Sequence, residues 1–369
     1  MNENKTELPE GVPPLTDLYI YAAGSCNLAC RHCWITPEFI PNGVGGSFVK
    51  IEHAQRAIQQ GKLLGLRSVK LTGGEPLLHP QIRQLVTIIE QAGLSLVIET
   101  NGTLIDKSLA QFLSEFKHGS FISVSIDGAI ANTHDLLRAV KGSFEKAVSG
   151  IKNLVAVGYR PQIICTLHQG NISEMAEIIH LAEKLGCNSV KFNHVQKVGR
   201  GNTFGREHGI ELKKLLSLFH YVETELVPNS SLRVFFDVPI AFWPLPKLLQ
   251  DAGHRCSIGN IIGLLSNGDY ALCGIGTSIP DLVYGNAGKD NLQGVWYSSD
   301  GLLRLRKQVP AQLEGICADC IHRDQCQGAC IANNFHAKGK LTAPYFFCEV
   351  ANQENLFPAS RKRVSSSLV

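Results

Sequence analysis

The sequence predicts an α/β protein: an open, partial (β/α)6 barrel of the TIM type, followed by a small Cys-rich C-terminal domain. Three observations carry this. Six short β-branched or apolar runs recur at 18–22, 68–72, 96–100, 121–126, 162–167 and 189–194. Amphipathic stretches lie between them at 51–64, 80–92, 107–116, 144–157 and 174–185, with another at 212–225. From residue 256 onward the chain turns to short Gly-rich and Cys-rich elements. Strand–helix alternation implies a parallel sheet with right-handed crossovers. Six units are too few to close an eight-fold barrel.

Each part then follows in order. Residues 1–14 are a polar, Pro-containing tail without a charged-then-apolar signal pattern. Residues 15–205 hold the barrel, and 206–255 are a bridge in which periodicity weakens and prolines cluster between 228 and 246. Residues 256–352 form the Cys-rich domain, which lacks core volume and needs metal staples. Residues 353–369 are a tail, where the run Arg361-Lys362-Arg363 reads as a solvated end.

Composition narrows the function. Of 369 residues 44% are hydrophobic and 18% charged, enough apolar material for a large core. A net charge of +3 gives no footprint for nucleic acid. No apolar stretch reaches the roughly 18 residues of a membrane span, so the expected location is the cytoplasm and no membrane partner is expected. Reducing thiol pools there make structural disulfides rare. Twelve cysteines are nonetheless present, ten of them in two groups at 26–33 and 256–348. Such grouping argues for metal or iron–sulfur ligation. Cys165 and Cys187 lie outside both groups and read as small buried hydrophobes.

In this fold, functional residues belong at the C-terminal ends of strands. The first cysteine group follows the first strand as Cys26-Asn-Leu-Ala-Cys30-Arg-His-Cys33. A structural zinc wants four closed ligands, and no fourth lies nearby. A cubane held by three cysteines leaves one iron open, which suits catalysis. Leu71-Thr72-Gly73-Gly74-Glu75-Pro76 follows the second strand, with adjacent glycines that permit close backbone approach and a proline that fixes the exit. Glu99-Thr100-Asn101-Gly102 and Ser123-Val124-Ser125-Ile126-Asp127-Gly128 end the third and fourth strands.

The cysteine loop resembles the signature of radical SAM enzymes, with His32 in the aromatic position before the third cysteine. The resemblance implies a [4Fe–4S] cluster on Cys26, Cys30 and Cys33 whose open iron binds S-adenosylmethionine (SAM). Reductive cleavage of SAM then gives methionine and a 5′-deoxyadenosyl radical. It further implies that Gly73, Gly74, Glu75 and Pro76 hold the SAM amino group, and that Asn101, Ser125 and Asp127 line its ribose and carboxylate. Arg138 would be the carboxylate partner, its fork of donors suited to that role, with a surface salt bridge as the alternative. Asn193, in Lys191-Phe192-Asn193, and Gly199-Arg200-Gly201 would shelter the adenine. Flavodoxin or ferredoxin is the implied reductant.

The second group runs Cys256, Cys273, Cys317, Cys320, Cys326, Cys330 and Cys348. Seven thiolates exceed one tetrahedral site, and two zinc sites need eight. The order is similar to the SPASM extension, which carries two auxiliary iron–sulfur clusters. That resemblance assigns Cys317, Cys320, Cys326 and Cys348 to one cluster. Cys256, Cys273 and Cys330 go to the other, one ligand short. Two structural zincs remain the alternative.

Among SPASM enzymes, anaerobic sulfatase maturases carry an extra cysteine soon after the Cys256 position and an Asp base directly after the Cys273 position. Here Ser257-Ile258-Gly259-Asn260 and Gly274 stand instead, and glycine supplies no base. Segments around Cys33-Trp34-Ile35, 69–80, 271–276 and 341–349 look like maturases of ribosomal precursor peptides with nitrile-hydratase-type leaders. Some of these excise tyramine from the backbone and leave an α-keto-β-amino acid. Splicing of this kind is the first expectation, and thioether or carbon–carbon crosslinking or epimerisation the second. A small-molecule radical SAM enzyme and a non-catalytic metal-binding protein are the rivals from other classes. The segment before the first strand is too short for a leader-recognition domain, so a separate small leader-binding partner is expected.

Overall fold

The computed structural model describes residues 8–43, 45–250 and 258–363. Cys256 and Ser257 therefore lie outside the described residues, as do the outermost parts of both tails.

Along the chain come β1 (Asp17–Ala23), β2 (Ser25–Cys26), β3 (Glu38–Phe39), α1 (Ile51–Leu63), β4 (Ser68–Gly73), α2 (Ile82–Gln91), β5 (Ser95–Thr100) and α3 (Lys107–Ser114). Then follow β6 (Ser120–Ser125), α4 (Ala131–Arg138), α5 (Ser143–Ala156), β7 (Gln162–Leu167), α6 (Met175–Leu185), β8 (Ser189–His194), α7 (Arg200–His208), α8 (Leu212–Tyr221), β9 (Arg233–Phe236) and α9 (Leu245–Gln250). The Cys-rich part supplies β10 (Ile261–Leu264), β11 (Asp269–Ala271), β12 (Val283–Asn286), α10 (Leu292–Ser298), α11 (Asp300–Gln308), α12 (Gly315–Asp319), α13 (Arg323–Cys326), α14 (Ile331–Lys338) and α15 (Phe346–Gln353).

The six expected strands are β1 and β4 to β8, and they form the parallel barrel wall. The wall is longer than expected at both ends. Its order is β12-β11-β10-β1-β4-β5-β6-β7-β8-β9. β9, from the bridge, pairs parallel with β8, and β10 pairs parallel with β1 through Asp17↔Ile261 to Ile20↔Leu264. The outer strands β12 and β9 do not meet, so the barrel is open.

Alternation along each strand sets the two faces. Val69 and Leu71 of β4 turn outward and are fully buried under the helices, as are Ile20 of β1 and Phe192 of β8. Lys70 and Thr72 turn inward. Each helix covers this wall with one apolar stripe, such as Leu85, Val86 and Ile89 of α2 or Ala147, Ile151 and Leu154 of α5. Burial of each such Leu or Ile is worth about 1.5–3 kcal/mol, and a charge in place of Ile151 would break the layer. One hydrophobic core continues from Leu15 to Phe357, so the Cys-rich part shares the barrel's core. Trp296 of α10, almost wholly buried, donates from Nε1 to the Pro13 carbonyl at 2.9 Å and ties the two ends of the chain together.

Candidate active site

The Cys26–Cys33 loop leaves β1 through β2 and returns through β3, with Ser25↔Glu38 and Cys26↔Phe39 paired. Its middle is held by the end of α4: Ala29 N–H donates to the Arg138 carbonyl at 3.2 Å and Arg31 N–H to the Leu137 carbonyl at 2.9 Å. Carbonyls at a helix C-terminus have no partner within the helix, and here the loop supplies them. From the far side α7 clamps the loop. Gly201 N–H donates to the Cys33 carbonyl at 3.3 Å, and Arg200 Nε to the Cys30 carbonyl at 3.0 Å. Gly199 has φ +58, and a Cβ there would stand 2.6 Å from the Trp34 carbonyl oxygen. Gly199-Arg200-Gly201, expected around an adenine, thus packs on the cysteine loop.

Cys26 and Cys30 are buried and Cys33 half-buried. Burial, reinforced by Glu75, pushes the Cys26 thiol up to about 12. Such thiols become thiolates when a metal coordinates them. A single zinc with ~2.3 Å bonds needs sulfurs about 3.8 Å apart. Among the described residues no three His, Cys, Asp or Glu side chains are gathered to hold a single metal ion. Three thiols on one short loop, two of them buried, are a donor set whose chemistry suits iron.

Gly73 and Gly74 are glycines for a reason internal to the fold. Gly73 has φ +126 with the Ala23 carbonyl oxygen 2.7 Å from where a Cβ would sit, and a Cβ on Gly74 would overlap the Ser25 carbonyl. Gly74 N–H donates to the Ala23 carbonyl and Glu75 N–H to the Ser25 carbonyl. The end of β4 therefore abuts the corner that launches the cysteine loop. Pro76 opens a 3-10 turn over Pro76–Leu78. Glu75 is fully buried; it accepts from Thr100 Oγ1 at 2.6 Å, Asn101 N–H at 2.8 Å and Leu77 N–H at 3.1 Å. Burial still holds its carboxyl up at about 7. Three of about four acceptor positions are used within the protein.

Asn101 likewise turns to the loop, donating to Asn27 Oδ1 at 2.8 Å and approaching Cys26 Sγ at 3.9 Å. Arg138 and Asp127 are both buried, which removes the surface-salt-bridge reading of Arg138. Arg138 Nε donates to Asp127 Oδ2 at 2.6 Å, and Nη1 lies 3.5 Å from Cys30 Sγ. Burial alone would raise Asp127; the Arg138 guanidinium outweighs it and holds the carboxyl down at about 2. Thr166 N–H donates to Asp127 Oδ1 at 2.8 Å, so the carboxylate ties β6, β7 and α4 together. Ser125, half-buried, ends β6 beside it. Three buried atoms around this rim, Ser25 Oγ, His32 Nδ1 and Asn193 Oδ1, have no hydrogen-bond partner among the described residues. Unpaired buried polar atoms are costly, and a polar ligand at the strand ends would satisfy them.

The barrel interior holds groups to which motif reading gave no role of their own. Lys70 Nζ pairs with Glu99 Oε1 at 2.9 Å and lies 4.4 Å from the Tyr19 ring centre. Burial opposes a charged Glu99, but Lys70 and then Lys191 draw it below the usual carboxylate range. Strand alternation was the available signal, since Tyr19, Lys70, Glu99 and Lys191 all occupy inward positions. Tyr21, buried above Tyr19, fills the space beside Gly274 so closely that a Cβ there would overlap its ring. The absence of a base at 274 thus has a steric partner in Tyr21.

In the Cys-rich part, Cys317 and Cys320 flank the end of α12, Cys326 ends α13 and Cys348 lies in the first turn of α15. All four line one cavity, together with Tyr345 and Phe357. Tyr345 N–H points to Cys317 Sγ and His322 N–H to Cys320 Sγ, each at 3.4 Å. Burial pushes the Cys317 thiol up to about 12. Cys330 caps α14, and Cys273 follows β11 near Tyr21. Cys165 and Cys187 are buried, as expected of small hydrophobes. In the basic run, Lys362 and Arg363 have exposed side chains, as a solvated end would, but the backbone is paired. Cys320 and Lys362 form an antiparallel bridge, Ile321 N–H donates to the Arg361 carbonyl at 2.9 Å, and Arg363 N–H donates to the Asp319 carbonyl at 2.7 Å.

The sequence profile of the Radical SAM superfamily matches residues 20–182, the span from β1 into α6. Over that span the chain is similar to radical SAM domains. Proteins of that superfamily use SAM and a [4Fe–4S] cluster, and the match supports an enzyme. The AdoMet-dependent heme synthase of Methanosarcina barkeri is 26% identical over 335 residues, covering 88% of this chain and 93% of that protein. The mycofactocin maturase MftC of Mycobacterium tuberculosis is 26% identical over 335 residues, covering 89% and 82%. In fold, the chain is similar to Streptococcus suis SuiB bound to its precursor peptide SuiA, with a TM-score of 0.71 at 20% identity over 91% of this chain and 76% of SuiB. No helix among the described residues is long and apolar enough to cross a membrane.

Proposed function

We propose that the chain is a radical SAM maturase of a ribosomally made precursor peptide, with Cys26, Cys30 and Cys33 holding the [4Fe–4S] cluster. The observation that carries the radical-generating half is the buried Asp127–Arg138 pair set against Cys30. When bound, the cluster supplies the electron that splits SAM into methionine and a 5′-deoxyadenosyl radical. The chain's own part is to bind and orient. The end of α4 fixes the loop, Arg138 offers its remaining donors to the SAM carboxylate, and the Gly73–Pro76 turn sets the rim. Ser125, Asp127, Asn101, His32 and Asn193 complete the SAM contacts. The interior below, with Lys70, Glu99 and Lys191, receives the substrate.

A peptide substrate is supported by the likeness to MftC and SuiB, whose names tie them to a maturation and a precursor peptide. The cavity lined by Cys317, Cys320, Cys326 and Cys348 supports an auxiliary cluster held by those four thiols. Cys256, Cys273 and Cys330 would hold the second. The reaction we favour is backbone splicing with tyramine excision on a precursor with a nitrile-hydratase-type leader, delivered by a small partner protein in the cytoplasm and driven by flavodoxin or ferredoxin. Crosslinking or epimerisation is the alternative outcome. The heme synthase match, at the same identity, favours a tetrapyrrole as a second reading.

Anaerobic reconstitution, iron and sulfide counts and a 5′-deoxyadenosine assay test the first half, which fails if product does not depend on all three loop cysteines. Co-expression with candidate precursors and intact peptide mass tests the second. Loss of tyramine mass supports splicing and loss of two hydrogens supports crosslinking. An unchanged peptide with a modified tetrapyrrole establishes the second reading.

A further inference from the structure

The basic run at 361–363 is the one motif that the radical-generating site leaves without a role. Two backbone hydrogen bonds, from Ile321 N–H and Arg363 N–H, make the Cys320–Lys362 bridge and lay the run along the Cys320 loop. Its three side chains differ. Lys362 is exposed. Arg363, also exposed, pairs with Asp324, which pairs in turn with Arg323, so its charge is shared with a carboxylate. Arg361 is the inward one. Its Nη2 donates to the Trp243 carbonyl at 3.2 Å, while Nε is buried with no partner among the described residues. No carboxylate pairs with it among the described residues. Of the acidic groups around this site, Asp324 is engaged by Arg323 and Arg363, and Glu349 accepts from Ile316 N–H at 3.4 Å.

We infer that Arg361 is a positioning residue for the second cysteine site: its backbone pins the Cys320 loop, and its uncompensated guanidinium raises the reduction potential of an iron–sulfur cluster held there. This rests on the auxiliary-cluster reading above. One-electron reduction makes a cluster more negative, so a nearby fixed positive charge favours the reduced form. Cluster potentials respond to net charge and to hydrogen bonds at sulfur, and partners beyond the ligands tune a metal centre. The electron itself comes from substrate or from the reductant; Arg361 only sets how readily it is accepted.

The test is a potentiometric titration of the reconstituted full chain, followed by electron paramagnetic resonance. The relevant signal is the one that persists in the Cys26→Ala/Cys30→Ala/Cys33→Ala variant and vanishes in Cys317→Ala. Arg361→Gln should move its midpoint to lower potential by at least ~59 mV, a tenfold change in a one-electron equilibrium. Arg361→Lys should keep most of the wild-type value, and Lys362→Gln all of it. An unchanged midpoint in Arg361→Gln at full iron content overturns the inference, as does an equal shift in Arg361→Lys or Lys362→Gln. Iron lost equally from both Arg361 variants makes the residue a structural pin alone and also overturns it. Absence of any such signal and iron from the wild-type protein overturns the auxiliary-cluster reading first, which the iron count distinguishes.

Discussion

Replacing Arg138 by methionine keeps most of the side chain's volume and removes its charge from a site where Asp127 has no exposure at all. Holding that aspartate at about 2 rather than 3.8 is worth about 2 kcal/mol at neutral pH. The sign follows from the lowered value: this stabilisation is complete above 3.8 and is lost as pH falls through about 2. Without Arg138 the carboxylate also stays buried and unpaired, which brings the expected loss to about 3–5 kcal/mol. Asp127→Asn should cost less, because a neutral amide can still accept from Thr166 N–H. The metal-free protein under reducing conditions is unfolded in urea at pH 7, and the change in midpoint at constant slope reads the loss. The decisive measurement is the double variant. If the pair is one unit, Arg138→Met with Asp127→Asn destabilises by less than the sum of the single changes, by more than ~1 kcal/mol. Additive losses would refute the coupling and, with it, the claim that Asp127 orients Arg138 toward Cys30.

Further predictions concern the same elements. Gly74→Ala forces the β4 exit away from Ser25, so iron bound by a chain lacking the second-site cysteines should fall by more than half while far-UV circular dichroism is unchanged. Gly274→Ala should destabilise by about 1–3 kcal/mol through overpacking against Tyr21, and Tyr21→Ala in the same chain should relieve most of it in thermal melts. Burial holds Glu75 up at about 7 from 4.5, so its contribution to stability is whole below 4.5 and lost as pH rises through 7. The stability difference between wild type and Glu75→Gln, measured in urea, should therefore decline between pH 5 and 7 and level off above. Cys317→Ala should remove one cluster's iron yet leave 5′-deoxyadenosine formation without substrate at wild-type level.

What the sequence made legible was local. Cys26 to Cys33 lie within eight residues, and the six strands show alternation or apolar runs that need no tertiary partner to recognise. The unread parts depend on distant contacts. Helix α4 is only eight residues long, short for a helix on its own; its end is capped by the cysteine loop, and Glu174 receives Ala129 N–H and Thr133 Oγ1 near its start. Helix α7 contains two glycines, which weaken a helix, and one of them, Gly201, sits against the His32 carbonyl of the loop. β10 is four residues long and pairs with a strand some 240 positions earlier, beyond any periodicity window. The basic tail was half legible for a similar reason: its charges do reach solvent at Lys362 and Arg363, but its backbone pairing with the Cys320 loop is a distant contact.

The cysteine loop is synthesised early but completed late. Its central N–H groups wait for α4, and its outer flank waits for Gly199 to Gly201. At translation rates of about 5–20 residues per second, that interval is on the order of ten to thirty seconds. Through it, the three thiols belong to a chain that lacks its complete cradle. Iron delivery before α7 has emerged would therefore meet an unfinished site. A chain stalled on the ribosome short of residue 200 should carry no stable cluster, and assembly machinery that acts on finished chains, rather than on emerging ones, is the kind this architecture requires.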